Sequence, residues 1–212
     1  MLSEVIQKIK TTFGIGTVQQ SEDERAAELS RTIARREVDA MLEKESIHSN
    51  KSREEIGELI STVHFAVNAS EDEAEHFEGG IIPWIGIETR ELEKVGLIEP
   101  DEIVLRTSSA IVLIDYPLDN PAELAIVADE QGFSRWQLVD AIGKKYEEIY
   151  VEEEESAKTK TIPMDERKIM NRNQTDGNYG IWGHDLSDLA LSLVEVRRNA
   201  AGKVVLWLGM ES

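Results

Sequence analysis

The apolar positions follow two patterns, and the change comes near residue 80. Before it they recur at spacings of three and four, which marks one face of a helix. Leu2, Val5, Ile6 and Ile9 form one such stripe, with Ser3 placed to cap it. Ser21-Glu22-Asp23-Glu24 is a capping box opening a helix toward Glu45, whose apolar positions are Ala26, Leu29, Ile33, Val38, Met41 and Leu42. Ser52-Arg53-Glu54-Glu55 opens another over Ile56, Leu59, Ile60, Val63 and Val67. Ser70-Glu71-Asp72-Glu73 opens a third box-led helix, which Gly79-Gly80 ends. Acids in each first turn complement the helix macrodipole. The pattern predicts a helical region over residues 1–80.

After residue 80 the pattern turns to strands. Ile81-Ile82-Pro83-Trp84-Ile85-Gly86-Ile87 is apolar, but Pro83 and Gly86 suit it to an edge strand at best. Residues 89–95 read as a short helix that Gly96 stops, with Leu97-Ile98 packing back and Pro100 preventing continuation. Residues 81–109 read equally as a connector or as an extra strand and helix docked on the C-terminal half. Ala110-Ile111-Val112-Leu113-Ile114-Asp115-Tyr116 is a β-branched run. Turn chemistry over 117–121 then leads to a second apolar run at 123–128, so the two form a hairpin. A helix starts at Ser134, with Gln137 completing a capping box and Phe133 and Leu138 forming a hydrophobic staple. Leu138, Ile142, Tyr146 and Ile149 share one face of this helix, over residues 133–150, and are expected to pack on the hairpin. Val204-Val205-Leu206-Trp207-Leu208 has no polar alternation, as in a strand buried on both faces, and is expected to pair in parallel with the first hairpin strand.

Hairpin, packed helix, loop, Leu186-Ser187-Asp188 turn and closing strand occur in an order that resembles the ubiquitin-like β-grasp. The likeness spans residues 110–208 and includes Leu-Ser-Asp, the triplet that precedes the last ubiquitin strand. It implies an α+β fold in which an N-terminal helical region precedes a mixed sheet packed on one helix. The corresponding organisation is residues 1–80 helical, 81–109 connecting, and 110–212 β-grasp-like with a polar insertion at 152–178. The chain ends Leu208-Gly209-Met210-Glu211-Ser212, unlike the free Gly-Gly of a conjugated modifier. The resemblance therefore implies a binding module.

Composition narrows the function classes. The 212 residues are 41% hydrophobic, enough for a real core. With 23 basic and 42 acidic residues the net charge is −19. Such a chain repels nucleic-acid phosphates and anionic lipid, and the basic clusters at 31–36 and Arg197-Arg198 are short. The partners expected are proteins, basic ones in particular, with no nucleic acid and no membrane. The absence of cysteine excludes disulfides and thiolate chemistry, and fits a cytoplasmic location. No cofactor is expected.

Candidate chemistry begins with the four histidines. Glu45/His48 and Glu73/His76 each place Glu and His three apart, the spacing by which helical bundles hold paired metal ions. One residue in five here is acidic, however, so such pairs arise by chance. Tyr179-Gly180-Ile181-Trp182-Gly183-His184-Asp185 is the least ordinary run. His184 beside Asp185 suits general acid–base work, or a turn in which Asp185 bonds nearby amides. Glu152 and Glu153, in an acidic run at a helix C-terminus, oppose the macrodipole and read as a solvated, fraying end or as an acidic docking surface. Lys144 is expected to pair with Glu148 there. Trp207, with Val205 and Val196, would form an exposed sheet face for a partner. The candidate partner-binding residues are therefore Trp182, His184, Asp185, Trp207, Glu152 and Glu153. No Gly-rich phosphate loop, Gly-x-Ser-x-Gly elbow or His-Glu-x-x-His occurs. The expected function is non-enzymatic protein binding or assembly. The alternative is a small hydrolase or metal-dependent enzyme centred on His184 and Asp185.

Overall fold

The computed structural model describes residues 53–212, which belong to one compact unit. The expected helices before Ser52, and the Glu45/His48 pair, lie outside the described residues. The body is a mixed α/β arrangement. Its main sheet contains strands β1 (Glu58–His64), β4 (Ile85–Gly86), β6 (Ser109–Ile114), β7 (Ala122–Val127), β9 (Ala190–Arg198) and β10 (Val204–Glu211). The order across it is β1-β9-β10-β6-β7, with β4 on the β9 edge beyond β1. Small ladders join β2 (Val67–Asn68) to β3 (Ile81–Ile82) and β5 (Ile103–Leu105) to β8 (Phe133–Ser134). Of the three α-helices among the described residues, α1 (Arg53–Ile56) and α2 (Arg90–Glu93) are single turns, and α3 (Arg135–Ser156) is long.

The hairpin, the helix and the closing strand form where the sequence pattern puts them. β6 and β7 pair in register from Ser109↔Val127 to Ile114↔Ala122. β10 lies parallel to β6 through Val205↔Ile111, Leu206↔Val112 and Trp207↔Leu113. Ser134 accepts from the Gln137 amide while the Gln137 side chain accepts from the Ser134 amide, closing the box that starts α3. Leu138, Ile142, Tyr146 and Ile149 are all buried in one core with Val112, Ile114, Ile126, Val194, Val196, Leu206 and Leu208. The helix continues past Tyr150 to Ser156 rather than fraying.

Two expected helices are replaced. Residues 58–64 are strand, because Gly57 at φ +135° ends α1, and an added Cβ there would sit 2.2 Å from the Arg198 carbonyl oxygen. Ile60, Thr62 and Val63 are β-branched and suit the strand that β9 then pairs. Residues 71–76 are turns, followed by a 3₁₀ segment Glu78–Gly80. Ser70 and Glu73 do bond, at 2.6 Å, but the β2–β3 ladder ties the two ends of the segment together and it runs through turns instead. Residues 81–109 pack on the same core through Ile85, Ile87, Leu97 and Leu105, with β4 on the sheet edge. Leu186–Asp188 forms a 3₁₀ turn that leads into β9, not into the last strand.

Candidate functional site

The residues singled out by sequence divide among three places. Trp182, His184 and Asp185 lie together where the 157–185 loop meets the β6–β7 turn and the end of α3. The Trp182 amide donates to the Pro117 carbonyl at 3.2 Å, and Ile181 bridges to Leu118. Trp182 is buried, its ring edge-on to Tyr116 at 5.4 Å and 6.0 Å from the His184 ring. His184 is half-buried. Its Nε2 is 2.8 Å from the Tyr116 hydroxyl, which is also 2.8 Å from Ser212 Oγ. The Tyr150 hydroxyl donates to the His184 carbonyl at 3.0 Å, and burial pushes this phenol well above its ordinary pKa.

Asp185 is held by a two-pronged ion pair with Arg167, at 2.5 and 2.9 Å. A hydrogen bond to Asp185 pushes the Arg167 guanidinium up from its ordinary value against a smaller opposing cost of burial. The Asp185 amide donates to Asp188 at 2.8 Å, so this residue also opens the Leu186–Asp188 turn. Arg172, buried, donates to Thr161 Oγ1 at 2.6 Å and stacks over the Tyr150 ring at 5.0 Å. Arg167, Arg172, Tyr116 and Tyr150 were invisible as site members in the sequence. The two arginines sat in a stretch that read as a polar insertion, with Lys158, Lys160 and Lys168 in the same run, so nothing local set them apart.

Glu152 and Glu153 part ways. Glu152 is exposed and accepts from the Tyr179 hydroxyl, which pushes that phenol up to about 12. Glu153 is fully buried and is not a surface acid. Its carboxylate accepts from the amides of Gly177 at 2.8 Å, Tyr179 at 2.8 Å and Gly180 at 3.2 Å. Burial raises its pKa, but bonds from the Thr175 side chain and these amides outweigh that and hold it below the ordinary carboxylate value. The acid therefore pins the 175–180 loop to the last turn of α3. At the same end the Lys160 ammonium donates to the Glu154 carbonyl, a compensating cation at the negative pole of the helix. Lys144 pairs with Asp140 at 2.7 Å instead of with Glu148, which Lys145 takes at 2.6 Å.

Trp207 does not lie on an exposed sheet face. It is buried, as are Val205 and Val196, and its strand β10 is central, between β9 and β6. The register also separates them: Leu206 stands opposite Val196, while Trp207 and Val205 stand opposite Glu195 and Arg197 on the other face. What does face solvent is the polar side of α3, with a shallow hollow of about 420 Å³ lined by Lys144, Glu147, Glu148, Val151 and Glu152.

Among the described residues no three His, Asp or Glu side chains are grouped to hold a metal ion, and Glu73/His76 lies on turns, not on a helix. No helix among them is long and apolar enough to cross a membrane. The chain matches no protein-family model, no curated protein and no solved structure.

Proposed function

We propose that this chain is a protein-binding module on a ubiquitin-like β-grasp, acting on a basic partner and without catalytic turnover. The observation that carries the fold reading is the strand order β7-β6-β10-β9 with β6 and β10 parallel, crossed on one face by the helix that joins the two hairpins. The Leu-Ser-Asp turn adds nothing to the likeness, since it enters the penultimate strand. For function, Asp185 is engaged by Arg167 and by the turn it opens, the arrangement of a structural anchor. The solvent side of α3 offers Glu147, Glu148 and Glu152 in one hollow, and a net charge of −19 steers cations toward it.

The second reading, a small hydrolase or metal-dependent enzyme at His184 and Asp185, is favoured by one feature. His184, Tyr116 and Ser212 form a chain of 2.8 Å contacts at a half-exposed position. One experiment separates the two. Selection of binders from a random peptide display library should enrich Lys- and Arg-rich sequences. Their affinity should fall with added salt and with the double variant Glu148→Lys/Glu152→Lys, while His184→Ala leaves it within a few-fold. Turnover on a panel of esters and phosphates that disappears in His184→Ala would overturn the proposal.

A further inference from the structure

A second hollow, of about 270 Å³, lies on α3 beside the acidic one and shares Lys144 with it. Val127 and Ala128 where β7 ends, Phe133 from β8 and Ala141 on α3 give it an apolar lining. Val127 is 78% exposed, so this lining opens to solvent. Gln137, Ala141, Lys144, Glu148 and Val151 follow one another at steps of four and three, which puts the two hollows on one face of the helix as a single groove. Lys144 stands at the junction, its side chain exposed and its ammonium 2.7 Å from Asp140 Oδ2.

We propose, on the reading that the acidic face of α3 docks a basic partner, that the apolar hollow takes one apolar side chain of that same partner and that Lys144 keeps the place of its cation. Charge complementarity decides the occupant. Glu147, Glu148 and Glu152 each engage one carboxylate oxygen within the chain, with Arg90, Lys145 and the Tyr179 hydroxyl. These bonds orient the carboxylates in advance, and each keeps its second oxygen for a donor from outside. A purely apolar occupant leaves those oxygens unmatched, and an acidic one is repelled. The groove also sets a spacing. Ala141 in one hollow and Glu148 in the other are seven residues apart on the helix, and so about 10 Å apart. An extended segment covers that distance in about three residues. The partner therefore carries a lysine or arginine about three positions from its apolar residue. Lys144 lies between those two points, so the chain's own lysine competes with the cation that docks.

Short labelled peptides on a Gly-Ser background, titrated into the full chain by fluorescence anisotropy, test this. Each carries a leucine and an arginine pair, placed adjacent, about three positions apart or about twice that, in either order. The middle spacing should bind tightest, and about tenfold tighter than the same peptide with alanine for leucine. Added salt should weaken both peptides and leave their ratio nearly unchanged, because burial of an apolar side chain is not screened. Ala141→Gln, which fills the hollow from the outer side of the helix, should remove the advantage of leucine. Lys144→Gln should tighten binding several-fold, and by more than Lys203→Gln, which removes the same charge between β9 and β10. Leucine and alanine peptides that bind alike, yet are both lost on Glu148→Lys/Glu152→Lys, overturn the proposal and leave the basic partner standing. Indifference to spacing overturns it as well, and so does a Lys144→Gln protein that binds no tighter than Lys203→Gln. Failure of every basic peptide to bind removes the reading beneath it. The leucine-to-alanine ratio and the spacing series use the unmodified chain, so they decide the matter even where a variant misfolds.

Discussion

Removing the buried carboxylate in Glu153→Ala should unfasten the 175–180 loop from the helix that carries it. Three amides, those of Gly177, Tyr179 and Gly180, lose their acceptor, and Thr175 loses a side-chain partner. A buried donor left unsatisfied costs about 1–3 kcal/mol. Gly177 and its neighbours Asp176 and Asn178 lie near the surface, so water relieves part of this and a total of about 3–5 kcal/mol is expected. At a urea slope of about 2 kcal/mol/M, the unfolding midpoint should fall by about 2 M. Glu153→Gln should cost less, about 2 kcal/mol, because one oxygen still accepts while its amide group faces donors. The pH dependence has a definite sign. The folded pKa is depressed, so the contribution is fully present above the unfolded carboxyl value of about 4.3 and is lost as pH falls through the lower folded value. The stability gap between wild type and Glu153→Gln should accordingly narrow below about pH 4. Urea unfolding followed by circular dichroism, with amide exchange at residues 177, 179 and 180, measures all of this. A Glu153→Ala protein within about 1 kcal/mol of wild type, with those amides still protected, would refute the anchoring role.

Two other substitutions probe the core. Ile142→Ala, at a fully buried position on the helix face against the sheet, should cost about 2–5 kcal/mol in urea unfolding, and a smaller loss would mean the helix does not seat on the core as described. Gly143→Ala should destabilise by about 1–3 kcal/mol even though alanine gains about 1 kcal/mol in helix propensity. An added Cβ would lie 2.4 Å from Nε of the buried Arg90, which reaches Glu147 at 2.7 Å and the Ile87 carbonyl at 2.7 Å across that glycine. A stabilised variant would show that Arg90 moves aside freely.

The sequence determined by itself whatever depends on neighbours within a few positions. The Ser134/Gln137 box, the 110–128 hairpin, the buried face of α3 and the unalternating run of β10 all carry local patterns, and each forms where its pattern lies. Tertiary structure decided the rest. Residues 56–67 satisfy a helical spacing, yet residues 58–64 become β1 because Gly57 breaks the helix and the distant β9 offers a ladder. Glu153 belongs to an acidic run that reads as solvated, and its burial comes from amides 24 to 27 residues further on. The pairing of Asp185 with Arg167 and the separation of Trp207 from Val196 onto opposite faces are likewise products of loop path and strand register. Period and capping are short-range properties of a chain. The partner that satisfies a charge, or the strand that claims an ambiguous segment, is fixed only when distant segments meet.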